Sequence, residues 1–303
     1  MFFRHFVFSI LLYGFLPLFL SLFLSPLFIS VFIVPLLGLI AIFHMLHLRK
    51  TLEVTDIKGV ENWLLLLVLG IFSILFAFKT CFIYFFAIPL EKVLAFALGF
   101  ITALYGGLNL KFFSKSIARD IVTGFIIFLL MLISTMAPFW VVSLVFGSKP
   151  RFDLGIFLVV IPFMLTVGLG EEVFFRGVLQ EIFVKRYGLR KGVFLASFLF
   201  FAIWHIAWVV RMNSIFNFII FVLYAGFLGV LLGLAYAGYK SLLPVIIAHA
   251  TWDIVMRSLS IPSTKLAPLK YYLIALIISA IIYIFLLKHF IRLVNSLSKT
   301  SKF

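Results

Sequence analysis

Long apolar runs separated by short polar or turn-rich breaks make up most of this chain. From break to break the runs cover 5–24, 27–47, 63–87, 91–108, 121–145, 154–183, 192–209, 216–238, 242–258 and 271–290. Most reach or approach the roughly 20 apolar residues that an α-helix needs to cross a bilayer. The breaks carry the turn formers and charges: Ser25-Pro26, the mixed-charge stretch from Arg49 to Glu61, Pro89 to Lys92, Lys111 to Asp120, Gly147 to Asp153, Lys185 to Lys191, Arg211 to Ser214, Lys240-Ser241, and Ile261 to Lys270. The pattern predicts an all-α, polytopic membrane helix bundle of about 8–10 transmembrane helices. It shows no internal repeat, heptad array or low-complexity tract, and no linker long enough to separate a pair of domains. A single integral-membrane domain, 1–303, is therefore expected.

Composition narrows the class further. Of the 303 residues, 65% are hydrophobic and 12% charged, and 41 are phenylalanine. An ordinary soluble domain is about 45–50% apolar and about 25% charged. A soluble core, a nucleic-acid module and a disordered tail are all excluded by that balance. The net charge of +15, from 25 Lys and Arg against 10 acids, would suggest nucleic acid in a soluble chain; here it reads as topology. With the N-terminus in the cytoplasm, 16 basic residues fall in inside loops and 7 outside, while Lys79 and Arg176 lie within runs. Cytoplasmic loops are rich in Lys and Arg, so both termini are expected inside, in a cell membrane of prokaryotic type. The first run follows Arg4 as in a signal peptide but lacks a small-residue cleavage site, so an uncleaved first helix is expected. The single cysteine, Cys81, cannot form an internal disulfide and is expected to pack as a small apolar residue. The stripe Ala225, Gly229, Gly233 and Ala237 recurs every four residues and predicts a close helix–helix contact.

Ionisable groups deep in an apolar run are costly and call for partners. Most acids sit in breaks or at run ends; Glu171, Glu172 and Asp253 do not. Of the six histidines, His205 and His249 lie inside runs. Lys79 also does, and its long stem is expected to snorkel to an interface. Residues four apart on an α-helix lie about 40° apart around the axis. That places Glu172 with Arg176 and His249 with Asp253. Glu172–Arg176 reads as a structural ion pair. Glu171, about 100° further round, is left for a proton or a water. In His249–Asp253 the carboxylate can fix the tautomer of the ring, or both groups can face one ligand. His205, with Phe201 one turn before it and Trp204 and Trp208 around it, adds a site on a third helix.

These residues resemble a known family. Glu171-Glu172-Val173-Phe174-Phe175-Arg176-Gly177 resembles an EExxxR motif, Phe201 to His205 an FxxxH motif and His249 to Asp253 an HxxxN/D motif, in the order found in the CAAX protease and bacteriocin-processing (CPBP, or Abi) family, which includes the type II CAAX prenyl endopeptidases. The resemblance covers about residues 120–260. It divides the chain into N-terminal transmembrane helices at 1–119, a catalytic core at 120–260, and a C-terminal helix and tail at 261–303.

The resemblance implies an intramembrane glutamate endopeptidase, a hydrolase whose bundle encloses a polar cavity open to the cytosol. It implies that Glu171 and His205 activate the attacking water and that His249 with Asp253 stabilises the oxyanion. An ionised Asp253 cannot donate to an oxyanion where relatives carry Asn, so its share in that role is open. The expected partners are the bilayer and a membrane-associated peptide or protein, a prenylated CAAX-like C-terminus among them, with no nucleic acid. No cofactor is expected. Zinc is the runner-up, since Glu, His and Asp are all acceptable ligands, but no H-E-x-x-H pair is present. The alternative from another class is a membrane immunity or binding protein, or a small transporter, using the same polar groups.

Overall fold

The computed structural model describes residues 65, 67–72, 75, 79, 90–105, 108, 110–147, 151–206, 215–260 and 269–300. The runs expected at 5–24 and 27–47, the break from Arg49 to Glu61, and Cys81 lie outside the described residues. The elements in chain order are α1 (Leu90–Tyr105), α2 (Ile117–Thr135), α3 (Ala137–Val145), the two-residue strand β1 (Arg151–Phe152), α4 (Leu154–Glu172), a π-helical stretch (Val173–Gln180), α5 (Glu181–Tyr187), α6 (Leu189–Val193), a second π stretch (Phe194–Phe200), α7 (Phe201–Ile206), α8 (Ile215–Tyr239), α9 (Leu242–Ser258), β2 (Leu259–Ser260) and α10 (Leu269–Thr300).

The protein is an all-α polytopic membrane helix bundle. Five stretches among the described residues are long and apolar enough to cross a bilayer: Ile117–Thr135, Leu154–Tyr187, Leu189–Ile206, Phe218–Tyr239 and Leu273–Arg292. Their surface chemistry is that of a lipid-facing protein. On α2, Ile121, Val122, Phe125, Ile126, Leu129 and Ile133 are exposed. The opposite face buries Asp120, Gly124, Ser134 and Thr135. On α10, Ile274, Ile277, Ile278, Ile281 and Phe285 face outward while Ala275 and Ser279 are buried. Apolar side chains outside and small or polar ones inside is the arrangement a hydrocarbon solvent favours.

One expected run is divided. The stretch 121–145 forms two helices, because Pro138 lacks the N–H that would continue the ladder and instead occupies the first turn of α3. The Met136 N–H donates to Leu132 O and closes α2.

The chain comprises two compact units. The first contains Met1–Leu110 and Val173–Phe227, the second Lys111–Glu172 and Leu228–Phe303. The first is centred on aromatic rings. Phe72 lies 5.1 Å from Phe200 and 6.1 Å from Trp204, and Phe175 meets Phe201 edge-on at 5.1 Å. Edge-to-face contacts suit the ring quadrupoles. Lys79 does not snorkel: it is 1% exposed, with Nζ 4.2 Å from the Trp204 ring centre, and Lys92 Nζ lies 4.6 Å from the same ring. The two π stretches are joined by Ser197 Oγ donating to Gln180 Oε1 at 2.9 Å, both buried.

In the second unit, α9 is held at both ends. At its start, the N–H groups of Leu242 and Leu243 donate to the carbonyls of Lys111 and Phe112, each at 2.9 Å. These are donors that a helix N-terminus otherwise leaves unsatisfied. Ser241 Oγ lies 3.0 Å from both Phe112 O and Asp120 Oδ2. Asp120 Oδ2 also accepts from Ser114 N–H at 2.6 Å. At its end, Ser258 O accepts from Asp153 N–H at 2.9 Å, and β1 pairs antiparallel with β2, Arg151 opposite Ser260. Because Asp153 immediately precedes α4, this contact ties the start of α4 to the end of α9.

Candidate active site

A glycine sets how closely α4 and α9 approach. A Cβ at Gly168 would stand 3.0 Å from Ile246 O and 3.1 Å from Ala250 Cβ. With hydrogen there instead, the backbones touch, and one turn further along α4 the polar side chains meet. His249 Nδ1 lies 2.6 Å from Glu172 Oε1. Its Nε2 lies 3.8 Å from Glu171 Oε2 and 3.9 Å from Asp253 Oδ2. Glu171, Glu172 and His249 are buried, while the Asp253 side chain is 26% exposed. One imidazole thus faces three carboxylates drawn from two helices of the same unit.

The geometry at the two ring nitrogens differs. At 2.6 Å, Nδ1–H donates to a carboxylate, a charge-assisted bond. At 3.8–3.9 Å the Nε2 side is wider than a hydrogen bond and leaves its partners as neighbours. Removal from water strengthens each of these interactions relative to an exposed pair.

Glu171, Glu172, His249 and Asp253 are therefore brought together. The contact that sequence spacing missed is Glu172 with His249, whose residues stand 77 positions apart. Spacing did put Asp253 beside His249, but Glu172 is the nearer carboxylate. The remaining predicted residues lie in the other unit. His205 Nδ1–H donates to Phe201 O at 2.7 Å, and its ring lies 4.7 Å from that of Phe201 and 5.6 Å from Phe221. In a neutral ring so bonded, Nε2 is the acceptor. Arg176 is buried, its guanidinium carbon 4.4 Å from the Phe201 ring centre and 5.9 Å from that of Phe175. From Val173 to Gln180 the winding is π, and Arg176 lies on that stretch. Runs of π-helix are rare and concentrate at functional sites. Among the described residues, no three His, Cys, Asp or Glu side chains are grouped so that they could hold a metal ion.

Residues 153–255 match the model of the Rce1-like family, type II CAAX prenyl endopeptidase Rce1-like. The matched stretch is about a third of the chain and contains Glu171, Glu172, Arg176, His205, His249 and Asp253. No curated protein and no solved structure gives a significant match. The match supports a CAAX-type intramembrane endopeptidase in general.

The Gly168 approach has a measurable consequence. Gly168→Ala must push α9 back by a few tenths of an ångström, and overpacking of this kind costs about 1–3 kcal/mol. A lowered Tm in detergent is expected, and a wild-type Tm would show that α4 and α9 are not in backbone contact there.

Proposed function

We propose that the protein hydrolyses a peptide bond within the membrane, using Glu171 as general base toward an attacking water. The observation that carries this is Glu171 Oε2 buried 3.8 Å from His249 Nε2, inside the Rce1-like stretch. A carboxylate there accepts a proton from water as the water oxygen bonds to the scissile carbonyl carbon. The developing oxyanion needs preorganised donors, and His249 supplies one through Nε2–H when its ring carries both protons. Collapse of the intermediate breaks the C–N bond, and the proton held by Glu171 passes to the leaving amine. His205 is a second proton carrier, supported by the Phe201 contact that makes Nε2 an acceptor. Asp253, the more open of the carboxylates, faces Nε2 and fits the substrate side. The step requires no metal.

The substrate proposed is a membrane-associated peptide or protein, with a prenylated C-terminal CAAX-like segment as the first class to try. The test compares prenylated and unprenylated reporter peptides on purified protein, before and after prolonged chelation. Cleavage that prefers the prenylated reporter and survives chelation is expected. Loss on chelation with recovery on adding Zn²⁺ would make Glu171, His205 and His249 metal ligands instead.

Both termini are placed in the cytoplasm, a reading supported by the 16-to-7 division of basic residues. Cysteines introduced in the 111–119 and 185–191 segments should resist impermeant thiol reagents in intact cells and react in inverted vesicles. Labelling in intact cells would reverse the orientation.

A further inference from the structure

We infer that Glu172 is a positioning residue that acts through His249: it holds the Nδ1 proton, and thereby turns Nε2 toward Glu171 and Asp253. This rests on the peptidase reading above and assigns the orienting role to a carboxylate other than Asp253. An imidazole can present its two nitrogens in either sense, and which one carries the proton is set by the hydrogen bond made by the other. Three carboxylates surround this ring, but only Glu172 is within bonding distance, at 2.6 Å; the other two are at 3.8 and 3.9 Å and both lie on the Nε2 side. Glu172 is completely buried and stands at the last α-helical position before the π stretch, on the helix that Gly168 brings against Ile246 and Ala250. Its carboxylate is therefore carried by a closely packed helix and held out of water. With Nδ1–H committed to Glu172, a neutral ring offers Nε2 as a lone pair and a doubly protonated ring offers it as a donor. In either state the reacting nitrogen faces Glu171. Asp253 is thereby released from orienting the ring.

The experiment uses full-length purified protein carrying Glu172→Gln, Glu172→Met, His249→Asn, Glu171→Gln and the double variant Glu172→Gln/His249→Asn. A farnesylated CAAX reporter peptide gives kcat and KM, and ¹⁵N-histidine NMR of the same samples gives the tautomer. Glu172→Gln preserves volume and is expected to lower kcat at least 100-fold, with KM changed less than about threefold. An orienting carboxylate replaced by its amide in a Ser-His-Asp triad loses about 10⁴-fold through the wrong tautomer. In the His249→Asn background the same substitution should cost less than about threefold, because the residue it acts through is gone. The His249 Nδ1–H resonance should move in Glu172→Gln and stay in Glu171→Gln. Equal losses from Glu172→Gln in both backgrounds, or an unmoved Nδ1–H resonance, would overturn the positioning role. Full turnover in Glu171→Gln would instead overturn the glutamate reading. The NMR arm reports on Glu172 even if no reporter is cleaved.

Discussion

Glu171→Gln is expected to lose cleavage by about 10²–10⁴-fold, the range for removing a general base, while the protein remains folded and extractable. The substitution keeps the size of a side chain that is 2% exposed and leaves the 2.6 Å contact between Glu172 and His249 in place. It removes only the capacity to take a proton from water. Turnover on a reporter peptide should therefore vanish without a change in Tm or in the elution profile in detergent. Near wild-type turnover would remove Glu171 from the chemistry.

His249→Ala is the second large effect, and it should separate from the first in its stability signature. The ring is the donor to Glu172 Oε1 and the neighbour of Glu171 and Asp253. A lost charge-assisted hydrogen bond costs about 1.5–3 kcal/mol, so Tm should fall along with activity. Removing one oxyanion donor typically costs about 10²–10³-fold in kcat. Parallel thermal unfolding and kinetic assays of Glu171→Gln and His249→Ala check the contrast. If His249→Ala left Tm unchanged, its bond to Glu172 would carry no stability.

Much of the membrane architecture is legible because run length is a one-dimensional property. The runs at 154–183, 192–209, 216–238, 242–258 and 271–290 correspond to helices at Leu154–Tyr187, Leu189–Ile206, Phe218–Tyr239, Leu242–Ser258 and Leu269–Thr300. The Lys240-Ser241 break is the link between α8 and α9, where Lys240 takes φ 54. The divided run at Pro138 shows what hydropathy overlooks: an apolar proline leaves the run intact and still ends a helix. Lys79 shows a second limit, since snorkelling and burial over Trp204 need the same long stem, and only the fold puts the ring within 4.2 Å.

In the candidate site, the identities of the deep polar residues were legible because each is an expensive exception in an apolar run. Their pairing was legible only within a helix. The i, i+4 rule brought Asp253 near His249, but no spacing rule connects Glu172 with a ring 77 residues away. That contact depends on the absence of a side chain at Gly168, an effect of three-dimensional packing.

The most direct measurement of the central claim is mass spectrometry of a prenylated CAAX reporter incubated with purified protein in lipid vesicles, with Glu171→Gln in parallel. The account predicts two fragments whose masses sum to the reporter plus one water, formed by the wild type and absent with Glu171→Gln. An intact reporter with folded wild-type protein, or equal cleavage by both proteins, would contradict it.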